Sequence, residues 1–130
     1  MRYLTGDEDD EARGYFGQTA IIAGEATCLR VKCGSIIVKE NRIIGIGFNS
    51  PPGNREDQRR CTSDKSTLDA KVTDKTCCIH AEQRAILHAL RTHPLVLPGS
   101  RLYFTRIDDD GKIKLSGKPY CTLCSKMSLD

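Results

Sequence analysis

The chain of 130 residues has no tryptophan, few aromatic residues of any kind and no strong excess of charge of either sign. Lysine and arginine number 20 against 17 acidic residues, which gives a formal net charge of +3. A protein that grips nucleic acid mainly through phosphates needs a concentrated basic face. The charge balance therefore argues against nucleic acid as the main partner, and leaves small charged ligands open.

Long apolar runs are also missing. The longest, SIIV and RIIGIGF, fall far short of the roughly 20 residues that span a membrane. The N-terminus, MRYLTGDEDDEARG, is acidic, whereas a secretory signal is basic and then apolar. We therefore predict a cytoplasmic protein with no membrane segment, and its length predicts one domain over residues 1–130.

Cysteine, by contrast, is abundant, with seven residues in the chain. The number is odd, no export signal accompanies it, and a reducing compartment keeps thiols free. Metal binding or packing is therefore favoured over a disulfide framework. The residues are Cys28, Cys33, Cys61, Cys77, Cys78, Cys121 and Cys124.

The first half of the chain predicts a helix, a hairpin and a loop. Residues 1–13 are expected to form a flexible lead-in or the cap of a helix that covers residues 15–30. The segment CGSIIVKENRIIGIGFNS has two apolar runs around a turn, the pattern of a β-hairpin buried on both faces. Residues 50–75 carry two prolines and many charges, which predicts a long loop.

The second half alternates helix and strand patterns. A helix is predicted over residues 78–90, with Asp74 or Thr76 near its N-cap and Pro94 shortly after its end. The segment SRLYFTRI predicts a strand, and residues 121–130 begin another helix. Helices that alternate with strands indicate an α/β domain with helices on both faces of a sheet.

Two of the predicted helix starts carry residues that can bind a metal. Cys121 and Cys124 form a Cys-x-x-Cys pair, and His80 lies in the first turn of the other helix. One nitrogen and two thiolates supply three zinc ligands and leave a fourth position open to water, as a catalytic zinc requires. Glu82 is close enough in sequence to accept a proton from that water.

The same residues allow other interpretations. A Cys-x-x-Cys pair at a helix start is also typical of a thiol redox couple, although that reading leaves His80 and Glu82 without a role. Buried cysteines can act simply as small hydrophobic residues. Glu82 alone could be an acid favoured by the helix dipole. His88 and His93 are interpreted as structural histidines.

The motifs HAE and PYCTLC resemble the H-x-E and P-C-x-x-C signature of the zinc-dependent cytidine and deoxycytidylate deaminase superfamily. The segment CLRVKCGSIIVKENRIIGIGFNSPPGN is similar to the strand-turn-strand and Asn-containing loop of its deoxycytidylate deaminase branch. The resemblance therefore extends from about Cys28 onward. It implies a cytidine deaminase-like three-layer α-β-α sandwich around a mixed sheet.

The resemblance also implies roles for individual residues. Asn49 would touch the sugar, and the backbone of Ala81 would contact the pyrimidine edge. The predicted zinc ligands and proton shuttle are His80, Cys121, Cys124 and Glu82. Three arginines of the long loop could bind a monophosphate, with a solvated charged loop as the alternative. They are Arg55, Arg59 and Arg60.

Some members of the deoxycytidylate deaminase branch carry a second, structural zinc in the region of this loop. Its candidate ligands here lack a Cys-x-x-Cys spacing, so packing is the favoured alternative. They are Cys28, Cys61, Cys77 and Cys78.

The sequence departs from the family pattern in two places. Tyr120 separates Pro119 from Cys121, which could shift the loop or add an aromatic wall. Family members continue past the cysteine helix, so we expect this chain to lack the C-terminal strand or strands and helix. The segment RLYFTRI would then be an unpaired strand, which favours a homo-oligomer.

The leading hypothesis is zinc-dependent hydrolytic deamination of a small cytosine nucleotide or nucleoside, such as deoxycytidylate, with release of ammonia. One alternative is a deaminase of another amino-substituted ring, namely a free base, a pterin or riboflavin precursor, or adenosine in tRNA. The other is a catalytically silent zinc-binding assembly module.

Overall fold

The computed structural model describes residues 2–71, 77–118 and 121–130. No described helix is long and apolar enough to cross a membrane. The described helices and strands follow one another in this order: α1 (Asp7–Gly24), β1 (Lys32–Lys39), β2 (Arg42–Phe48), α2 (Ala81–Thr92), β3 (Arg101–Ile107), β4 (Ile113–Lys114) and α3 (Thr122–Leu129).

Strands β1 and β2 form the antiparallel hairpin that the sequence predicts. Glu40 and Asn41 both have positive φ angles, of 49° and 60°, so the chain reverses within two residues. Turns of this kind match the right-handed twist of the strands that they join. Strand β1 is buried along most of its length, whereas β2 exposes Ile46, so burial on both faces holds for β1 and only in part for β2.

The sheet has the strand order β2-β1-β3-β4, and all its described pairings are antiparallel. The predicted mixed sheet is therefore wrong for the described residues. Strand β3 is not unpaired either, because β1 pairs with it along its length. On its other edge, β4 pairs only with Arg106 and Ile107. The tight reversal between β3 and β4 explains why they run antiparallel, since parallel strands need a long crossover.

The two faces of the sheet are covered by different helices, as the sequence predicts. Ile36 and Val38 pack with Tyr103 beneath α1. Ile37 points to the opposite face, because side chains alternate along a strand, and it packs with Ile86 of α2. The α2 face carries the residues of chemical interest.

Helix α1 begins earlier and ends earlier than predicted. Residues 7–13, expected as a flexible lead-in, belong to the helix, and residues 25–30 do not. The acidic run Asp7 to Asp10 occupies the first turn, where negative charge is favoured by the helix dipole. Ala12 is buried against the sheet. An acidic segment that looks solvated in the sequence is here the start of a packed helix.

Helix α2 begins at Ala81, three residues later than predicted, and its N-cap is His80. Ile79 pairs with Ser50 in an isolated β-bridge, so the backbone before His80 is extended and not helical. The predicted capping residues Asp74 and Thr76 lie outside the described residues. The described part of the long loop, residues 50–71, contains three short 3-10 turns and no strand or α-helix.

Gly47 allows α2 to pack directly on β2. A Cβ atom there would lie 2.2 Å from the carbonyl oxygen of Ala81 and 2.5 Å from the nitrogen of Ala85. These are backbone atoms, so neither can move aside alone. We expect Gly47→Ala to lower the free energy of unfolding by about 1–3 kcal/mol or more.

The matched control is Gly17→Ala in α1, where nothing lies within 4 Å of an added Cβ. We expect this change to raise the free energy of unfolding by up to about 1 kcal/mol, because alanine is the better helix former. Urea unfolding of both variants measures the difference. Equal stability of the two would contradict direct packing of α2 on β2.

Candidate active site

His80 is held at the start of α2 by hydrogen bonds on both sides. The N–H of Ile79 donates to the carbonyl oxygen of Ser50 at 2.9 Å. The N–H of His80 donates to Oε1 of Gln83 at 3.0 Å, and together with the His80 side chain this completes a capping box. Gln83 was not among the predicted site residues, although a Glu or Gln at the third helical position is the usual signal for such a cap.

The two sulfurs of the Cys-x-x-Cys pair lie beside this histidine. Cys121 is the N-cap of α3, and the N–H of Cys124 donates to its Sγ at 3.5 Å. Nδ1 of His80 is 3.2 Å from Sγ of Cys124 and 3.3 Å from Sγ of Cys121. The predicted trio is thus brought together, with all three ligand atoms within 4.8 Å of one another. Pro119 and Tyr120 lie outside the described residues.

This donor set fits zinc. Typical Zn–N and Zn–S bonds in a tetrahedral site place nitrogen and sulfur about 3.5 Å apart, close to the separations seen here. Three protein ligands leave one position for water or substrate, which is the catalytic arrangement. Burial raises the pKa of the Cys124 thiol, and its contacts with Cys121 and Glu82 add to the effect. A bound cation would reverse this, because a metal-coordinated thiol is deprotonated.

Glu82 lies in the first turn of α2 and is partly buried. Its carboxylate interacts with Cys124 and also acts on Cys33 of β1. The pKa of the Cys33 thiol is raised to about 11, mainly by burial and then by the charge of Glu82. The carboxylate is therefore placed beside the metal-binding trio and on the same side of the sheet.

Asn49 and Ala81 border the same region. The Asn49 side chain accepts the N–H of Cys33 at 2.8 Å and donates to the carbonyl oxygen of Val31 at 2.8 Å. Its structural role is therefore to fix the end of β2 against the start of β1. Ala81 is buried as the first residue of α2. Their contacts with sugar and pyrimidine stay predictions.

A cavity of about 130 Å³ adjoins His80 and Asn49. Arg30 and Lys65 are the basic residues that line it. Neither residue was predicted as part of a site, because nothing in the sequence around them distinguishes them from other surface lysines and arginines. The full lining is Cys28, Arg30, Val31, Asn49, Cys61, Lys65, Cys77, Cys78 and His80.

The three loop arginines predicted for phosphate binding do not line this cavity. Arg55 pairs with Asp57 at 2.5 Å. Arg59 pairs with Glu56 at 2.6 Å and also donates to the carbonyl oxygen of Thr27 at 2.8 Å. Arg55 and Arg59 thus form ion pairs within the loop. A phosphate-binding role for Arg55, Arg59 and Arg60 stays a prediction.

The four remaining candidate cysteines all line the cavity beside His80. Sγ of Cys61 is 3.2 Å from Sγ of Cys77, which is 3.8 Å from Sγ of Cys78. Burial, together with a hydrogen bond to Cys28, raises the pKa of Cys78. Among the described residues, however, no three of these sulfurs lie within 4.8 Å of one another. The thiols are gathered but do not form a tetrahedral set, so the second zinc stays a prediction.

Comparisons with known proteins agree with this geometry. Residues 11–129 match the family described as the cytidine and deoxycytidylate deaminase zinc-binding region. The deoxycytidylate deaminase of Schizosaccharomyces pombe is 34% identical over 83 residues, which are 59% of this chain and 25% of that protein. The deoxycytidylate deaminase of Mycobacterium phage D29 is 30% identical over 98 residues, which are 71% of this chain and 74% of that protein.

The chain therefore spans only a quarter of the length of the yeast relative. Among solved structures, the apo dCMP deaminase of the cyanophage S-TIM5 superposes with a TM-score of 0.62 at 24% identity, covering 91% of this chain and 73% of that one. The complex of that enzyme with dCMP and dUMP gives a TM-score of 0.56 at 24% identity, with 78% and 68% covered. These likenesses confirm the cytidine deaminase-like fold.

The family match covers nearly the whole chain, including both metal-binding motifs. It confirms zinc as the cofactor, and His80, Cys121 and Cys124 form the group of side chains that could hold it. The chain belongs to the cytidine and deoxycytidylate deaminase zinc-binding family.

Proposed function

We propose that the protein deaminates a cytosine nucleotide, deoxycytidylate in the first place, to the uracil nucleotide and ammonia. The observation that carries this proposal is the position of His80 Nδ1 at 3.2 and 3.3 Å from two cysteine sulfurs, with Glu82 in the first turn of the helix that His80 caps. Two relatives named deoxycytidylate deaminase support the choice of substrate.

Catalysis divides between the metal-binding trio and Glu82. His80, Cys121 and Cys124 would hold a zinc ion, which would supply an activated water molecule as the nucleophile for C4 of the ring. Glu82 accepts the proton that this water loses. It passes this proton to N3, then takes the proton of the hydroxyl group now bonded to C4 and passes it to the amino group, which leaves as ammonia because a protonated amine is the better leaving group.

We assign substrate binding to the cavity that adjoins His80. Asn49 borders the cavity that adjoins His80, so a sugar bound there would lie within reach of its side chain. The N-terminal end of α2 presents the backbone of Ala81 toward the ring. Arg30 and Lys65 supply positive charge to the cavity wall, which favours a phosphorylated substrate.

The test is an assay of ammonia release from dCMP, deoxycytidine, cytidine and cytosine by the zinc-loaded protein. A charge-assisted hydrogen bond to phosphate contributes about 1.5–3 kcal/mol, so we expect kcat/KM for dCMP to exceed that for deoxycytidine by about 10- to 100-fold. Full zinc with no release of ammonia from any of the four would overturn the proposal, and would favour a silent zinc-binding module. A pterin and tRNA are assayed beside these four compounds. Faster release of ammonia from the pterin or from tRNA adenosine than from dCMP would assign the activity to another ring.

Homo-oligomer formation and a cytoplasmic location stay predictions. Within the part of the chain that the structure describes, β4 pairs with the outer edge of β3 at only two residues, which leaves the rest of that edge available to a second copy. This open edge supports the predicted oligomer.

A further inference from the structure

Arg84 of α2 reaches out of the helix to the segment that follows β2. Its Nη2 donates to the carbonyl oxygen of Pro51 at 2.7 Å and to that of Ser50 at 3.3 Å. Its guanidinium carbon lies 6.0 Å from the centre of the Phe48 ring. Gly47 provides the space for this approach, since a Cβ there would lie 2.7 Å from Cβ of Arg84. One side chain thus reaches Phe48 on one side of Asn49 and Ser50 and Pro51 on the other.

The surroundings of Arg84 are unusual for an arginine. Among the described residues it forms no ion pair with a carboxylate, and its Nε is buried without a hydrogen-bond partner. Burial lowers the pKa of its guanidinium. A buried charge without a counter-charge costs stability. At this partly buried position the two carbonyl contacts are the interactions that the guanidinium adds.

The segment that Arg84 holds, residues 49–51, joins both halves of the candidate site. Asn49 is fixed to β1 through the backbone of Val31 and Cys33. The carbonyl oxygen of Ser50 accepts the N–H of Ile79, the residue that precedes His80. Arg84 bonds to that same oxygen and to the next one along the chain. Arg84 therefore connects residues 49–51 to α2, the helix that carries Glu82.

We propose that Arg84 is a positioning residue for substrate binding, which sets the distance between the Asn49 side of the pocket and the start of α2. Its side chain bonds to the backbone of Ser50 and Pro51 and not to the metal-binding side chains, so it acts through residues 49–51. The expected effect of Arg84 on KM rests on the proposed deaminase function. Its expected effect on the backbone of residues 49–51 does not.

The test compares Arg84→Met with Arg91→Met, which removes an exposed arginine from the last turn of the same helix. Methionine keeps most of the unbranched stem over Phe48 and removes the donors, so both variants are expected to fold and to keep their zinc. Because residues 49–51 border the pocket and not the reacting atoms, we expect Arg84→Met to raise KM for dCMP by about tenfold or more and to change kcat by less than about threefold. Arg91→Met should match the wild type, and Arg84→Lys, which keeps one donor group, should fall between.

A double-mutant cycle separates positioning from general stabilisation. If Arg84 acts through Asn49, Arg84→Met should raise KM much less in an Asn49→Ala background than in the wild type. Equal effects in both backgrounds, or a loss in kcat with KM unchanged, would overturn the proposal.

Amide hydrogen exchange tests the same contact without any assay of activity. The N–H of Ile79 and that of Asn54 donate to the carbonyl oxygens of Ser50 and Pro51, the two that Arg84 also holds. Both amides should exchange faster in Arg84→Met and at the wild-type rate in Arg91→Met. Unchanged exchange in Arg84→Met would overturn the positioning role. A wild type that deaminates nothing would instead overturn the proposed function, and the exchange result would still decide the role of Arg84.

Discussion

Replacing Glu82 with glutamine is expected to abolish measurable deamination while the protein keeps its zinc. Glutamine has nearly the same shape but can neither take a proton from water nor return it to the leaving amine. A positioned acid-base group contributes about 10²- to 10⁴-fold to the rate, and Glu82 serves both transfers, so we expect the upper end of that range or more. Rates of ammonia release from dCMP, together with zinc content per chain, measure the two effects.

The matched control is Glu40→Gln, which neutralises a carboxylate in the exposed turn between β1 and β2 and should leave both quantities unchanged. Loss of zinc from Glu82→Gln would instead make Glu82 a ligand or a structural residue. Near-normal turnover with zinc present would mean that another group carries the proton. The position of Glu82 argues against that, because it lies two residues after His80 in the first turn of α2, and burial and the charge of Glu82 both raise the pKa of the Cys124 thiol.

The elements that could be predicted from the sequence are those with a strong local signal. The hairpin follows from two apolar runs around a short turn, and the structure places that turn at Glu40 and Asn41. The metal-binding trio follows from two short motifs, each at a helix start. Their separation of 41 residues carries no distance information by itself. The resemblance to the deaminase signature supplied that link, and the structure confirms that the three ligand atoms meet.

Features that depend on tertiary contacts could not be predicted in this way. The start of α1 at Asp7 depends on the burial of Ala12 against the sheet, which the acidic run around it conceals. The start of α2 depends on the bridge between Ser50 and Ile79, which joins distant parts of the chain. Arg84 is one residue of an ordinary amphipathic helix until the carbonyl oxygens that it contacts are placed beside it.

The partners of the arginines in the long loop also become visible only in the folded chain. Arginines close together in sequence suggest an anion site, but Arg55 and Arg59 have acidic partners only two or three residues away. Short-range pairing of this kind satisfies a guanidinium without any ligand. Arg30 and Lys65 come from separate segments and converge only in the folded chain, so no local pattern could identify them.

Replacing Cys124 with serine is expected to remove the catalytic zinc and with it all deamination. Serine stays protonated at neutral pH and is a poor zinc ligand, so the trio would be reduced to His80 and Cys121. Loss of residues that only support zinc ligands already costs about 10- to 100-fold in metal affinity, and loss of a ligand should cost more. Zinc content after dialysis, measured beside the rate with dCMP, should fall by one equivalent per chain.

Cys33→Ser is the matched control, because Cys33 is also buried near Glu82 yet lies outside the trio. Its sulfur is not among the three ligand atoms that lie within 4.8 Å of one another, so it is not placed to bind the catalytic metal. The variant should keep its catalytic zinc.

The same measurement of zinc content decides whether a second site exists. Two zinc ions in the wild type, one of them lost in Cys61→Ser and the other in Cys124→Ser, would establish a metal at the loop thiols. A single zinc, lost only with Cys124→Ser, would make those thiols packing residues, and catalytic zinc retained in Cys124→Ser would contradict the assigned trio.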